Sequence, residues 1–210
     1  MIEENKLNLS SIQSYKVAKY LLEEKASSQM DISIDTGVAV GYVNEVVHEL
    51  SDLNIVRIEY RSTLLLDYVK LLEKISFDRP FKKLVYRELR LPTSTINETE
   101  KMVTSYCTRY DIEYVYTMYS ALRHYYEYQI TYPSVHVYMK NPEKIEGLEP
   151  GEGVVPVVIL GQDRPDIMEQ SIIKNRNRVC DRVQVIIDLY SSGVGRDAAI
   201  RFYRDTIWKT

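Results

Sequence analysis

The apolar positions repeat with one rhythm in the first third of the chain and with another beyond it. Ile12, Tyr15, Val17, Ala18, Leu21 and Leu22 recur at helical spacing, with Lys16, Lys19, Glu23 and Glu24 completing the turns. This predicts a helix that Ser10 or Ser11 can cap. Met30 to Thr36 (MDISIDT) predicts a short second helix with Ile32 inward, and Gly37 supplies a residue able to take positive φ at the turn that follows. From Gly41 to Leu53, Val43, Val46, Val47, Leu50 and Leu53 mark one apolar face of a third helix. Ile55 to Tyr60 alternates apolar and polar as a strand does, Arg61 to Thr63 turns it, and Leu64 to Leu66 returns. Asp67 to Ser76 predicts a fourth helix with Tyr68, Leu71, Leu72 and Ile75 on one face. Pro80 makes FDRPF (Phe77 to Phe81) a joint.

Helix, helix, glycine turn, helix and β-ribbon is the order of a winged helix-turn-helix, expected over residues 1–76. In that geometry the turn sets the third helix across the second, so its solvent face can enter a major groove of double-stranded DNA while the ribbon reaches the flanking backbone. The exposed positions are then Val40, Gly41, Tyr42, Asn44, Glu45 and His48. Asn can pair with adenine, Glu can accept from cytosine, and Tyr or His can reach phosphate. No Arg or Lys lies between Asp31 and Asn54, so positive charge must come from Lys16 and Lys19 on the first helix and Arg57 and Arg61 on the wing. A few neutralised phosphates per protomer imply weak, salt-sensitive binding, for which a homodimer with two half-sites is the natural remedy.

Residues 77–210 alternate differently. Strands are expected at Lys82–Leu91, Ile112–Tyr116, Ser134–Met139, Val154–Leu160 and Val183–Leu189. Helices are expected over Ile96–Tyr110, capped by Thr93 or Ser94, over Tyr119–Tyr126 and over Arg196–Trp208. The fold class is therefore α+β, a winged helix-turn-helix followed by a mixed α/β domain that would dimerise, bind a partner or add DNA contacts.

Charge complicates this assignment. Of 27 basic and 30 acidic residues, 8 and 12 lie in residues 1–76, leaving 19 and 18 beyond, so the presumed DNA-binding part is the acidic one. Tyrosine is overused, with 18 Tyr against 3 Phe and 1 Trp, which suits cores near surfaces and nucleic-acid contacts. Cys107 and Cys180 are far apart and outside any CxxC arrangement, so neither a metal site nor a disulfide framework is expected. The start MIEENKLNLS is polar and acidic, unlike a signal peptide, and the longest apolar run, Val154 to Leu160, is broken by Pro156 and too short for a bilayer. A soluble cytoplasmic protein is expected.

Four further sets of residues carry candidate chemistry. Ile186 to Ala199 (IIDLYSSGVGRDAA) suggests a strand, a glycine loop and a helix N-terminus of the kind that favours anions, or glycines that only make the turn. His48, His124 and His136 stand in no catalytic motif. Asp163, Asp166 and Glu169 around Pro165 suggest a solvated loop and helix cap. No enzyme activity and no cofactor are expected. Lys174, Arg176, Arg178 and Arg182 form a basic run, either a solvated face or an auxiliary patch for nucleic acid or an acidic partner.

The segment VQVIIDLYSSGVGRDAAIRFYRD, Val183 to Asp205, resembles a stretch in the AbiEi-like antitoxins of type IV toxin–antitoxin systems. There an apolar strand with Gln and Asp-Leu precedes a Gly/Arg loop and an Ala-Ala helix. The matching residues here are Gln184, Asp188, Leu189, Gly193, Gly195, Arg196, Ala198 and Ala199. Tyr119 to Lys140 (YSALRHYYEYQITYPSVHVYMK) is similar to the same family's short Ala-Leu helix and aromatic-rich strand. An N-terminal winged helix is also that family's arrangement, so the likeness spans essentially the whole chain. It implies a transcriptional regulator that represses its own promoter and counters a partner toxin of nucleotidyltransferase type. The competing reading is a winged helix that binds a partner protein, such as a cognate toxin, without sequence-specific DNA binding.

Overall fold

Ser11, not Ser10, opens the first helix of the structure, a computed structural model that describes residues 7–127 and 134–209. The chain divides into two compact units, Met1–Pro80 with Ile200–Thr210, and Phe81–Ala199. The polar start (residues 1–6), and residues 128–133 within the second segment of family likeness, lie outside the described residues.

In the first unit α1 (Ile12–Glu24) begins where the Ser11 side chain accepts from the Ser14 N–H. A short strand β1 (Ala26–Ser27) leads to α2 (Gln29–Thr36), capped by Ser28 and ended by Gly37 at φ 68°. Then come α3 (Val40–Asp52), β2 (Val56–Glu59), β3 (Ser62–Leu65) and α4 (Tyr68–Asp78), whose Asp67 side chain accepts from the Lys70 N–H. The strands form an antiparallel sheet in the order β1-β3-β2. Two residues, Tyr60 and Arg61, join β2 to β3, with Arg61 at φ 57°. The two-residue strand β1 is too short to leave a periodic signal and was not expected. Tyr15, Leu21, Leu22, Ile32, Val47, Leu50, Leu71 and Leu72 are fully buried. Each such side chain contributes about 1.5–3 kcal/mol by leaving water.

The second unit carries a mixed six-stranded sheet. After a 3-10 turn (Phe81–Leu84) come β4 (Val85–Arg90), α5 (Ile96–Arg109), β5 (Tyr114–Thr117), α6 (Met118–Leu122), β6 (Val135–Met139) and a second 3-10 turn (Pro142–Gly147). They are followed by β7 (Pro156–Gly161), α7 (Asp166–Glu169), the hairpin β8 (Ile172–Lys174) and β9 (Asn177–Val179), and α8 (Arg182–Ser191). The strand order is β4-β7-β6-β5-β9-β8, with β6–β7 and β5–β9 parallel and the other pairs antiparallel. Thr95, rather than Thr93 or Ser94, caps α5, in a capping box closed by Glu98.

The largest correction concerns Val183–Leu189, expected as a strand and found inside α8. Every residue from Val183 to Tyr190 is buried, and a helix buried on all sides shows no 3.6-residue rhythm. Asp181 fixes its start by accepting from the Gln184 N–H at 3.0 Å. The family-like segment is therefore helix, turn, helix.

Side chains alternate along β5: Tyr116 donates to the Glu100 carbonyl of α5, and its neighbour Thr117 donates to Asp188 of α8. The sheet thus lies between α5 on one face and α8 on the other. Asp188 also accepts from the Tyr138 hydroxyl at 3.0 Å and from Gln184 Nε2 at 2.9 Å. Buried polar groups are tolerated only when satisfied, so this network fixes α8 to β5 and β6.

The last helix, α9 (Arg196–Tyr203), continues in a π-helical turn (Arg204–Trp208). Its end belongs to the first unit. Tyr203 donates to the Leu22 carbonyl at 2.7 Å, stacks on Tyr68 at 4.4 Å, and Lys25 Nζ donates to the Ile207 carbonyl at 2.9 Å. The division expected at residue 76 falls after Pro80, and the stretch expected as 77–210 does not stay in one unit to its end. No described helix is long and apolar enough to cross a membrane.

Candidate nucleic-acid interface

α3 places its side chains by a simple division. Val43, Val46, Val47 and Leu50 point into the first unit, at the i, i+3, i+4 and i+7 positions that make one stripe. Val40, Gly41, Asn44, Glu45 and His48 are exposed on the other side, and Tyr42 is half-buried. The turn before α3 is held by Ser33 Oγ donating to the Val38 carbonyl at 2.7 Å, with Val38 itself buried. After α3, Asn54 at φ 55° turns the chain into β2.

Local contacts engage several exposed groups. Asn44 Nδ2 donates to Gln29 Oε1 at 2.9 Å, and the Tyr42 hydroxyl lies 3.3 Å from Ser11 Oγ. Arg57 Nη2 and Nε both lie 2.8 Å from Glu59 Oε1 on the same strand. Arg61 stands 5.1 Å from the centre of the Tyr60 ring, a ring 86% exposed at the hairpin tip. Lys16 is half-buried. Lys19 is 7% exposed, because it falls on the core-facing side of α1, and it is withdrawn from the expected set of surface cations. Between the start of α2 and the β2–β3 hairpin lies a cavity of about 490 Å³, lined by Ser28, Gln29, Met30, Glu59, Arg61 and Thr63 among others. Met30 and Ile34 of α2 are also exposed.

The basic run of the second unit is divided by the β8–β9 hairpin. Lys174 pairs in register with Asn177, and Ile173 with Arg178, so Lys174 and Arg178 take opposite faces. Lys174 Nζ sits 4.3 Å from the centre of the Tyr125 ring. Arg178 turns the other way, with Nε donating to Ser171 Oγ at 2.7 Å and Nη1 at 3.5 Å from Glu113. Arg176 occupies the turn at φ 66°, and Arg182 is exposed at the start of α8. The four residues expected as one auxiliary patch do not share a face.

The glycine loop explains itself without an anion. Gly193 takes φ 80° after α8, and a Cβ on Gly195 would stand 2.7 Å from the Leu189 carbonyl oxygen. Ser192 Oγ accepts from the Gly195 N–H at 3.3 Å. Asp166, expected in a solvated turn, is buried at the start of α7, while Asp163 pairs with Arg164 at 2.9 Å.

Glu100 and His136, two titratable groups of the second unit, are buried, and of these Glu100 was not among the residues singled out from the sequence. Glu100 of α5 is 4% exposed and pairs with Arg123; burial raises its carboxyl to about 7, against the opposing pull of Arg123 and a Ser120 hydrogen bond. His136 of β6 is held down to about 4 by burial. His124 is half-buried, with its ring nitrogens 3.3 and 3.4 Å from the amides of Asn175 and Asn177, and desolvation with the charges of Arg123 and Lys174 lowers it. Cys107 and Cys180 are buried and form no disulfide, and burial pushes the Cys107 thiol up to about 12. Among the described residues no group of His, Cys, Asp and Glu is arranged to hold a metal ion. The sequence signal for the interior groups is helical spacing: Gln184 and Asp188 stand at i and i+4 on α8, and Glu100, Val103 and Cys107 at i, i+3 and i+7 on α5.

No family model and no curated protein matches the chain.

Proposed function

We propose that the first unit is a winged helix-turn-helix and that the chain is an antitoxin-like, DNA-binding transcriptional regulator acting on its own promoter. One observation carries this reading. α3 follows a glycine turn and precedes a two-stranded hairpin, with its apolar side buried and Val40, Gly41, Asn44, Glu45 and His48 turned to solvent. In this reading α3 enters the major groove, where Asn44 and His48 meet base edges, and Arg57 and Arg61 meet phosphates from the hairpin. The Arg57–Glu59 pair does not prevent this. Both side chains are about half exposed, and such pairs are worth about 0–1 kcal/mol, so phosphate can compete for Arg57. A homodimer doubles the few phosphate contacts of one protomer.

A second reading is favoured by charge. The face formed by α2, α3 and the hairpin carries Asp31, Asp35, Glu45 and Glu59 exposed beside Met30, Ile34 and Val40. An acidic surface with apolar side chains suits a protein partner, such as the nucleotidyltransferase-type toxin that the family likeness implies. Fluorescence anisotropy with duplex DNA from the region upstream of the coding sequence separates the two. Selective, salt-dependent binding over a scrambled duplex, lost in Arg57→Ala/Arg61→Ala, is the expected result. Absence of selective binding at low salt would reject the regulator reading and leave the partner-binding one.

A further inference from the structure

Where Lys140 and Asn141 leave the carboxyl end of β6, beside the end of α5, the second unit holds a cavity of about 570 Å³. That volume lies in the range of small-molecule sites. Lys140, Lys144 and Arg178 line it, opposed by the carboxylates of Asp111 and Glu113. Arg178 is fixed in place, donating to Ser171 Oγ at 2.7 Å and to the Met168 carbonyl at 3.2 Å. Glu113 stands between two cations, with Arg178 Nη1 at 3.5 Å from one oxygen and Lys140 Nζ at 3.2 Å from the other. These ion pairs are part-exposed, so they hold the cations in position yet exchange readily for a stronger anion. Tyr114 and Asn141 line the same cavity.

The position agrees with the lining. β6 and β7 are parallel neighbours inside the sheet, and their carboxyl ends come out together at this end of the strands. Ligands of open sheets lodge where the chains diverge beyond such ends. A second cavity of about 350 Å³ reaches the end of β7 at Gln162 and shares Glu113 and Lys140 with the first. The Glu113–Lys140 pair therefore stands between two lobes of one cleft.

The geometry points to a nucleoside phosphate as the ligand of this cleft, with its phosphate on Lys140, Lys144 and Arg178 and its base against Tyr114 and Asn141. Three cations lining one cavity suit a phosphate dianion, and a tyrosine and an asparagine in the same lining suit a base, whose face stacks and whose edge forms hydrogen bonds. The assignment is independent of what α3 binds.

Isothermal titration of the full chain tests it, using the four nucleoside monophosphates, the matching nucleosides and ribose 5-phosphate. At least one monophosphate is expected to bind about tenfold more tightly than its nucleoside and than ribose 5-phosphate. Tyr114→Leu should remove the preference over ribose 5-phosphate. Lys140→Glu/Lys144→Glu should abolish binding, and the milder Lys144→Gln, an exposed position, should weaken it with an unchanged melting curve. No heat from any monophosphate at about 1 mM, equal binding of ribose 5-phosphate, or unchanged binding by Lys144→Gln and the double variant would overturn the assignment.

Discussion

α3 and α8 each carry five valine, isoleucine or leucine residues, yet they use their polar residues in opposite ways. In α3 the polar groups Asn44, Glu45 and His48 face solvent, and the fold is secured by Val43, Val46, Val47 and Leu50 on the far side. In α8 the polar groups Gln184 and Asp188 are fully buried and hold the helix to Thr117 and Tyr138 of the sheet. The outer side chains of α3 can be exchanged at little cost to the fold. Those of α8 cannot.

The sharpest way to break this comparison is Asp188→Ala. It strands the donors of Thr117, Tyr138 and Gln184 in the interior, and a loss of about 3–5 kcal/mol is expected, measured as a fall in the urea midpoint. Glycine substitutions extend the contrast. Gly195→Ala puts a methyl group 2.7 Å from the Leu189 carbonyl oxygen just beyond α8 and should cost about 1–3 kcal/mol. Gly41→Ala, in the first turn of α3, meets nothing within 4 Å and should stabilise by up to about 1 kcal/mol. Thermal melts of the two variants should shift in opposite directions.

Acid and base inside the second unit give a test by pH. Glu100 has its folded value raised to about 7 from 4.5, so its contribution to stability is full below 4.5 and is lost as pH rises to 7. His136 has its folded value lowered to about 4 from 6.5, so stability is lost as pH falls from 6.5 to 4. The slopes oppose each other across one window and should leave the wild-type melting temperature nearly flat between pH 4.5 and 6.5. Glu100→Gln should unmask a rise with pH, and His136→Gln a fall. Identical profiles for all three proteins would refute the burial argument.

The same division explains what could be read beforehand. α3 was legible because a helix with one wet side prints its 3.6-residue period on the chain. α8 was not, since VQVIIDL buried on every side has the length and apolar density of a strand. The clue lay in Gln184 and Asp188, four residues apart and on one helix face, behind the cap Asp181. The β8–β9 hairpin was hidden by charge: Lys174 to Arg178 suggests a solvated run, although Asn175 and Arg176 make a turn with φ of 49° and 66°. Lys19 lies along the core on its long aliphatic stem, a placement that the apolar pattern of α1 does not reveal. Of the expected interface, the α3 positions other than the half-buried Tyr42 proved exposed, whereas the basic run proved divided.

In the proposed function the outer face of α3 is spare to the fold and serves recognition of DNA. Asn44→Ala/His48→Ala tests it most directly, with the melting temperature and the affinity for upstream duplex measured on the same sample. The account predicts a stability change within about 0.5 kcal/mol together with loss of preference for that duplex over a scrambled one. Unchanged preference, or a large fall in stability, would contradict it.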